Sequence, residues 1–370
     1  MSTRAPHILM VGGGTGGHVY PAIAIADAVR ALRPDAQIVF AGTQDRLEAR
    51  AVPEAGYALH PITAQGLQRR AVASNLLLPF RVAQGLVRGG GRVGGSGPEV
   101  AGGAGGYVAA PGRMAAGRRG RPLLIQEQNA YAGLTNRVLA RLALRIHLAF
   151  PEAKDWVPAE HAVVSGNPTR QSLRDADPDA ARAAFNVPED GRVLLVMGGS
   201  LGSAAINGAI QRILDPLLAE GDVYVVWQTG TRYYDDLTED LDEHPRLRVV
   251  EYIDQMGHAY AAADLAVCRA GALTCSELTV TGTPAVLVPS PNVTADHQTK
   301  NARSLERAGA AVWLDEADLD AHLETVLLDL LGNSDRRARM AEAARDRARP
   351  DAAETIARDV LALADRYRTN

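Results

Sequence analysis

Hydrophobic positions along the chain fall into two alternating patterns. Short apolar runs bounded by glycine or proline give way to longer stretches in which apolar residues recur every third or fourth position. The short runs suit buried parallel strands and the longer ones suit amphipathic helices, so their alternation predicts an α/β fold with open parallel sheets under helices. Residues 8–11 read as the first strand, 21–32 as a helix with Pro21 in its first turn, and 38–41 as the second strand. The pattern restarts with a strand at 193–197 and a helix over 204–218, and further strands are predicted at 223–227, 248–252, 265–268 and 285–288. Two Rossmann-like domains are therefore expected, 1–166 and 167–349, joined near Ser165-Gly166-Asn167-Pro168. After Pro350-Asp351, the positions Ile356, Val360, Leu363, Ala364 and Tyr367 form one apolar stripe. This 350–370 helix is expected to return to the first domain. Residues 85–106 are so rich in glycine that they predict a mobile, loosely specified connection around a weak strand.

Composition narrows the function classes. A chain of 370 residues with 46% hydrophobic and 22% charged content is of ordinary globular type, with enough length for two cores. Its net charge of −4 offers no global attraction for a nucleic acid. Cys268 and Cys275 are its two cysteines, too few for a zinc set or a secreted disulfide framework, so reduced cytosolic thiols are expected. No apolar stretch approaches the roughly 18 residues a membrane span needs, and the first apolar run is too short for a signal-peptide core.

Three loops carry candidate chemistry. Gly12-Gly13-Gly14-Thr15-Gly16-Gly17-His18 contains GxGxxG between a strand and a helix, where bare amides and the helix dipole suit a phosphate or sugar oxygen. Nicotinamide dinucleotides also need an acidic residue at the end of the second strand, and Val39-Phe40-Ala41-Gly42-Thr43 has none. The other reading of this loop is a tight turn that needs glycine for chain geometry. Gly198 to Gly202 repeats the arrangement in the second half, with the same two readings. Paired loops at the carboxyl ends of two sheets are expected to face a shared cleft. The third loop, Arg269-Ala270-Gly271-Ala272-Leu273-Thr274-Cys275-Ser276-Glu277, opens another helix whose amino end attracts a pyrophosphate. Thr274 and Glu277 also match a capping box, so cap and ligand contact both stand for this pair.

Taken in order, the motifs resemble the MurG family of bacterial glycosyltransferases. They are Gly13-Gly14-Thr15-Gly16-Gly17-His18-Val19-Tyr20-Pro21, Gly105-Gly106-Tyr107-Val108, Glu127-Gln128-Asn129, Ala132-Gly133-Leu134-Thr135-Asn136, Gly166-Asn167-Pro168 with Arg170, Gly198-Gly199-Ser200 and Arg269-Ala270-Gly271-Ala272-Leu273-Thr274. The resemblance implies the two-Rossmann-domain GT-B architecture, with acceptor and membrane on the first domain and the uridine nucleotide on the second. It implies transfer of N-acetylglucosamine from UDP to a lipid-linked muramyl-peptide acceptor, at the cytoplasmic face of the bacterial inner membrane. Donor contacts are implied at Thr15, Gly16, Gly17, Asn129, Arg170, Ser200, Ile253, Ala272, Leu273, Thr274, Cys275, Ser276, Glu277 and Gln298, with Glu277 on the ribose. His18 matches the family's leading general-base candidate, against the plainer reading of a histidine that caps its helix. A histidine side chain titrates near about 6.5 and can accept a hydroxyl proton when neutral. Tyr107 and Glu127 match acceptor-side catalytic positions.

This chain departs from the family pattern in reading Gln126-Glu127-Gln128-Asn129 where the family has His-Glu-Gln-Asn. Glutamine cannot titrate, so a proton-transfer role at that position does not operate here. The Asp-x-Asp pairs around Asp175, Asp177, Asp240 and Asp318 lie in polar, helix-flanking stretches and read as solvated or capping carboxylates. No metal and no cofactor is therefore expected, and the leaving diphosphate falls to helix amino termini and Ser200, in a single inverting displacement. Leu76, Leu77, Leu78, Phe80 and Arg81, flanked by Arg69, Arg70 and Arg88, combine apolar surface with cations. Alone they read as a core helix with exposed arginines, but the lipid acceptor implied by the resemblance turns them into a contact for an anionic membrane. A wall-synthesis protein complex is a further expected partner. The rival readings are another nucleotide-sugar transferase or epimerase on the same architecture, and a catalytically silent sugar-nucleotide-binding partner.

Overall fold

In the computed structural model, residues 5–13, 16–61, 98–104 and 122–369 are described. The chain divides into two compact units, Met1–Thr169 with Pro350–Asn370, and Arg170–Arg349.

The first unit is built on a parallel sheet of β1 (His7–Val11), β2 (Gln37–Gly42), β3 (Ala58–Pro61), β4 (Val100–Ala104), β5 (Leu123–Glu127), β6 (Arg145–Leu148) and β7 (Ala162–Val164). Their order across the sheet is β3-β2-β1-β4-β5-β6-β7. Central strands are covered on both faces, which is why β5 is buried along its whole length, including Gln126 and Glu127. The chain runs outward from β1 to β3 and returns to β4, so the order reverses between β1 and β4. In an open α/β sheet that reversal is where ligands bind, beyond the carboxyl ends of the strands.

Two local expectations change. The first helix spans Gly16–Leu32, so Pro21 lies inside it and not in its opening turn. The glycines and His18 join the helix because its buried face, through Val19, Ala22, Ile25, Ala26 and Val29, belongs to the main core of this unit. Pro21 cannot donate the hydrogen bond that the Gly17 carbonyl receives in a regular helix. Within the glycine-rich stretch, Val100–Ala104 is a central strand in register with β1 and β5, pairing Ile8 with Val100 and Gly102 with Leu124. Ladder hydrogen bonds on both sides outweigh the poor strand propensity of Gly102 and Gly103. A side chain at Gly102 would begin 3.3 Å from the Met10 sulfur and 3.7 Å from Val360, which shows how closely the last helix approaches.

That helix, Ala352–Thr369, buries Ile356, Val360, Leu363 and Ala364 in the same core as the first helix. Polar pairs anchor it: Arg145 Nε donates to Asp359 at 2.7 Å and Arg33 to Asp365 at 3.3 Å. His147, fully buried on β6, sits 3.3 Å from Asp359 through Nε2 and 3.1 Å from the Ser165 hydroxyl through Nδ1. Burial pushes its pKa down to about 4, outweighing the upward pull of Asp359.

The second unit repeats the design with β8 (Arg192–Met197), β9 (Val223–Gln228), β10 (Leu247–Val250), β11 (Leu265–Cys268), β12 (Ala285–Leu287) and β13 (Ala311–Trp313), all parallel and ordered β10-β9-β8-β11-β12-β13. The reversal here falls between β8 and β11. Among the described residues no helix is long and apolar enough to cross a membrane.

Candidate active site

In the first unit, β1 runs into Gly12 and Gly13, and the helix begins at Gly16; Gly14 and Thr15 lie outside the described residues. A β-carbon on Gly13 would stand 2.6 Å from Glu48 Oε1. Glu48 is fully buried and accepts hydrogen bonds from the Thr43 amide and hydroxyl, at 3.2 and 2.7 Å. The glycine is thus required by a buried carboxylate under the loop, which nothing in the sequence pattern signals. Gly16, Gly17 and His18 form the opening of a helix whose first turn holds no acidic residue, leaving its positive end uncompensated from within. His18 is the third helical residue and half-buried. It therefore stands inside the helix and not at the capping position at Val19.

The loop after β5 is organised by Glu127, which is 3% exposed. Its Oε1 accepts from the amides of Gln128 at 2.9 Å and Asn129 at 3.0 Å and from Asn129 Nδ2 at 3.4 Å. Its Oε2 accepts from the Gly133 amide at 3.0 Å and Asn136 Nδ2 at 2.6 Å. Five donors occupy both oxygens of this one carboxylate, which ties Asn129 to the entry of the helix Leu134–Ala140. Gln126 is also buried, and its Nε2 donates to Asn167 Oδ1 at 2.7 Å while Asn167 Nδ2 donates to the Gln128 carbonyl at 3.1 Å. An amide serves this bridge without titrating. Tyr107 and the expected membrane residues Leu76, Leu77, Leu78, Phe80 and Arg81 lie outside the described residues.

Beside that loop, Leu134, Val138, Leu142 and Leu144 are exposed hydrophobics. Leu134, Arg137, Val138, Arg141, Asp155, Trp156, Val157 and Pro158 line a cavity of about 600 Å³. The Arg137 guanidinium lies over Tyr131 and Trp156, 5.2 and 5.5 Å from the ring centres.

In the second unit, the loop after β8 is shaped by close backbone approach. Gly202, at φ +76°, packs so tightly that a β-carbon would fall 2.0 Å from the Thr229 carbonyl, and Gly230, at φ +88°, would meet Gly202 at 2.2 Å. Gly199 has φ +92° but open space around it. Ser200 and Leu201 between these glycines are exposed. Gln228 clamps this loop to its neighbour: its Nε2 donates to the Gly199 carbonyl at 3.1 Å and its Oε1 accepts from the Ile253 amide at 3.0 Å.

The loop after β11 lies on the other side of the same strand reversal. Arg269 donates to the carbonyls of Val288 and Pro289 and to the Ser203 hydroxyl, and Asn301 Nδ2 donates to the Ala270 carbonyl at 3.1 Å. The helix Ala272–Thr281 follows, with Gly271 at its N-cap and no side-chain cap. Thr274 lies within this helix, so it cannot open a capping box, and Glu277 is a full turn deeper. The Glu277 carboxylate instead accepts from the Tyr260 hydroxyl at 3.2 Å. Burial raises the Glu277 pKa, and the charge of Arg170 and the Tyr260 hydroxyl pull it back. The Cys275 thiol is fully buried and pushed up to about 12 by that burial, and the Cys275 amide donates to the Gly271 carbonyl at 2.9 Å. Ala272, Leu273, Thr274 and Ser276 are partly exposed. Gln298 uses Oε1 to accept from the Ser290 amide at 2.8 Å, and Arg170 is exposed. Among the described residues no cluster of three or more histidine, cysteine, aspartate or glutamate side chains is placed to hold a metal, and Asp177 caps the helix Pro178–Ala184 through the Asp179 amide.

Comparison with known proteins agrees with this two-unit plan. The glycosyltransferase family 28 N-terminal domain matches residues 8–148, and the family 28 C-terminal domain matches residues 193–356. The UDP-N-acetylglucosamine–N-acetylmuramyl-(pentapeptide) pyrophosphoryl-undecaprenol N-acetylglucosamine transferase of Salinibacter ruber is 96% identical over 370 residues, covering all of both chains. The enzyme of the same name from Bacteroides thetaiotaomicron is 39% identical, over 97% of this chain and 98% of its own. The crystal structure of Acinetobacter baumannii MurG matches with a TM-score of 0.76 and 30% identity, over 96% of this chain and 99% of that one.

The chain belongs to the MurG family. Its two parallel-sheet units are the GT-B architecture of MurG-family enzymes, and the protein is a hexosyltransferase. A UDP-N-acetylglucosamine 2-epimerase, at 15% identity and a TM-score of 0.64, shares the fold alone. Of the side chains that hold these loops in place, Glu48, Gln228, Tyr260 and Asn301 escaped the reading of the sequence. Tyr260 lies in an alanine-rich helical stretch that reads as core, and the others are lone polar residues whose partners are distant in sequence.

Proposed function

We propose that the protein transfers N-acetylglucosamine from UDP to the muramyl sugar of undecaprenyl-pyrophosphoryl-N-acetylmuramyl-pentapeptide, converting lipid I to lipid II in peptidoglycan synthesis. The observation that carries this reading is the match at 96% identity, end to end, to the Salinibacter ruber transferase. In the proposed chemistry the acceptor hydroxyl loses its proton to His18 and its oxygen forms a bond to the anomeric carbon. The bond from that carbon to the diphosphate breaks, its electron pair leaves with UDP, and the anomeric centre inverts. His18 is favoured by its position beside the glycine amides at the helix opening, and Glu127 holds Asn129 in place. Tyr107 is retained as an acceptor-side residue.

The donor diphosphate is assigned to backbone amides at Thr15, Gly16, Gly17 and the start of the helix Ala272–Thr281, with Ser200, Arg170 and Gln298 as further contacts and Glu277 on the ribose. Main-chain donors that cost no reorganisation replace a divalent ion in this reading. Ile253 and Ala272 through Thr274 complete the nucleotide contacts, and Ser276 offers a hydroxyl already donating to the Ala272 carbonyl at 3.0 Å.

The protein is proposed to work against the cytoplasmic face of the inner membrane, with the segment containing Leu76, Leu77, Leu78, Phe80 and Arg81 in contact with lipid. The exposed Leu134, Val138, Leu142 and Leu144 beside Arg137 and Arg141 support this reading, because apolar side chains edged by cations suit an anionic bilayer surface.

The decisive experiment is transfer of radiolabelled sugar from UDP-N-acetylglucosamine to lipid I, with and without chelator, in the native protein and in His18→Ala. Lipid II formation unaffected by chelator and lost in His18→Ala is expected. Donor binding without lipid II formation would establish the silent partner instead. Loss of turnover on chelation would overturn the metal-free mechanism, and full turnover in His18→Ala the assignment of the base.

A further inference from the structure

The helix Met256–Ala262 supplies none of the residues singled out by the family resemblance, yet it reaches the donor side of the second unit twice. Gly257 presses against the chain just beyond Arg170, where a β-carbon would fall 2.3 Å from the Ser172 carbonyl. One turn later Tyr260, only 2% exposed, directs its hydroxyl to Glu277 Oε2 at 3.2 Å. The same short helix therefore braces both the segment carrying the cation that acts on Glu277 and Glu277 itself.

Glu277 is partly exposed, so a ligand can reach it, and Tyr260 is its hydrogen-bond partner among the described residues. The hydroxyl engages one carboxylate oxygen and leaves the other without a hydrogen-bond partner among those residues. A carboxylate that receives a ribose hydroxyl must hold a fixed rotamer and stay ionised, and a glutamate side chain with one free end does neither well. We propose that Tyr260 is a positioning residue for nucleotide recognition: its hydroxyl locks Glu277 so that the unengaged oxygen accepts a ribose hydroxyl of the donor. This rests on the assignment of Glu277 to the ribose.

The surroundings strengthen the bond. Cys268 and Cys275, both fully buried, are pushed upward by burial and remain neutral thiols, so Tyr260 and Glu277 meet in a poorly polar environment where a hydrogen bond counts for more. The groups acting on Glu277 are Arg170 and Tyr260; Cys268 is electrostatically linked to Glu277 and Tyr260, and Cys275 to Tyr260 and Cys268. Removing the Tyr260 hydroxyl takes away one of the two influences that keep the carboxyl ionised, so the rise in donor KM at acid pH should begin at a higher pH.

The test compares UDP-N-acetylglucosamine with its 2′-deoxyuridine counterpart as donors for the native enzyme, Tyr260→Phe, Glu277→Gln and the double variant. Phenylalanine keeps the buried ring and removes one oxygen. Hydrogen bonds to charged groups contribute enough for Tyr260→Phe to raise KM for the ribose donor by about tenfold, with kcat within about twofold and the deoxy donor little affected. The double variant should be no worse than Glu277→Gln alone, because the hydroxyl acts through that carboxylate. Equal weakening of both donors in Tyr260→Phe would reduce Tyr260 to a packing residue and overturn the proposal, as would unchanged discrimination. If Glu277→Gln itself discriminates like the native enzyme, the ribose assignment fails first, a result distinct from failure of Tyr260→Phe alone. Should Tyr260→Phe not fold, Tyr260→Leu and Tyr260→Met take its place, and equal weakening of both donors in either folded variant overturns the proposal.

Discussion

Replacing Glu127 by glutamine separates a positioning carboxylate from a proton acceptor. Both oxygens of Glu127 face only donors: Gln128 and Asn129 amides and the Asn129 side chain on one side, the Gly133 amide and the Asn136 side chain on the other. A glutamine must turn its own NH2 group toward one of these sets. The less costly choice sets it against Gly133 and Asn136, where two charge-assisted bonds are lost, each about 1.5–3 kcal/mol. The expected destabilisation is therefore about 3–6 kcal/mol, and at roughly 2–4 °C per kcal/mol for a domain of this size the transition of the first unit falls by about 6–24 °C. Calorimetry reads that shift, and hydrogen exchange at the Gly133 amide should show faster opening at the entry to the helix Leu134–Ala140. A Glu127→Gln variant with native melting and native Gly133 protection, yet without sugar transfer, would refute the positioning role and return the carboxylate to the chemistry.

Three further outcomes are expected. Gly202→Ala should destabilise the second unit by more than about 3 kcal/mol in urea, because both its φ and its 2.0 Å approach to the Thr229 carbonyl forbid a β-carbon, whereas Gly199→Ala meets open space and costs about 1–3 kcal/mol from backbone strain alone. Gly13→Ala drives a methyl into Glu48 Oε1 at 2.6 Å, and overpacking of about 1–3 kcal/mol with a matching loss of transfer activity should be seen, while Ala5→Gly, outside the loop, leaves both unchanged. His147 has a folded pKa of about 4, below the usual value for histidine, so the unfolded chain binds the extra proton first. Its contribution to stability is full above about pH 6.5 and is lost as pH falls toward 4, and a urea series across that window should show a shallower slope in His147→Phe.

The sheet strands and the major helices were readable because burial on both faces of a parallel sheet imposes continuous apolar runs, and one buried face imposes helical period. The stripe of Ile356, Val360, Leu363 and Ala364 announced a packing helix, and the order of glycine loops carried the family resemblance. Short edge strands such as Ala311–Trp313 escaped because three residues hold too little pattern. The glycine-bearing β4 read only as a weak strand in a loose connection, because its stability comes from neighbours on both sides and not from its own residues.

What sequence determined by itself was therefore the alternation of elements, the two-domain plan and the set of chemical groups at the loop ends, all properties of neighbours a few positions apart. Tertiary structure alone decided what those groups are free to do. Glu127 is occupied by five donors, Cys275 faces the core, Thr274 sits inside a helix, and Tyr260 reaches Glu277 from seventeen positions away. Hydrogen-bond occupancy and burial depend on where distant segments arrive in space, and periodicity along a chain carries no record of that.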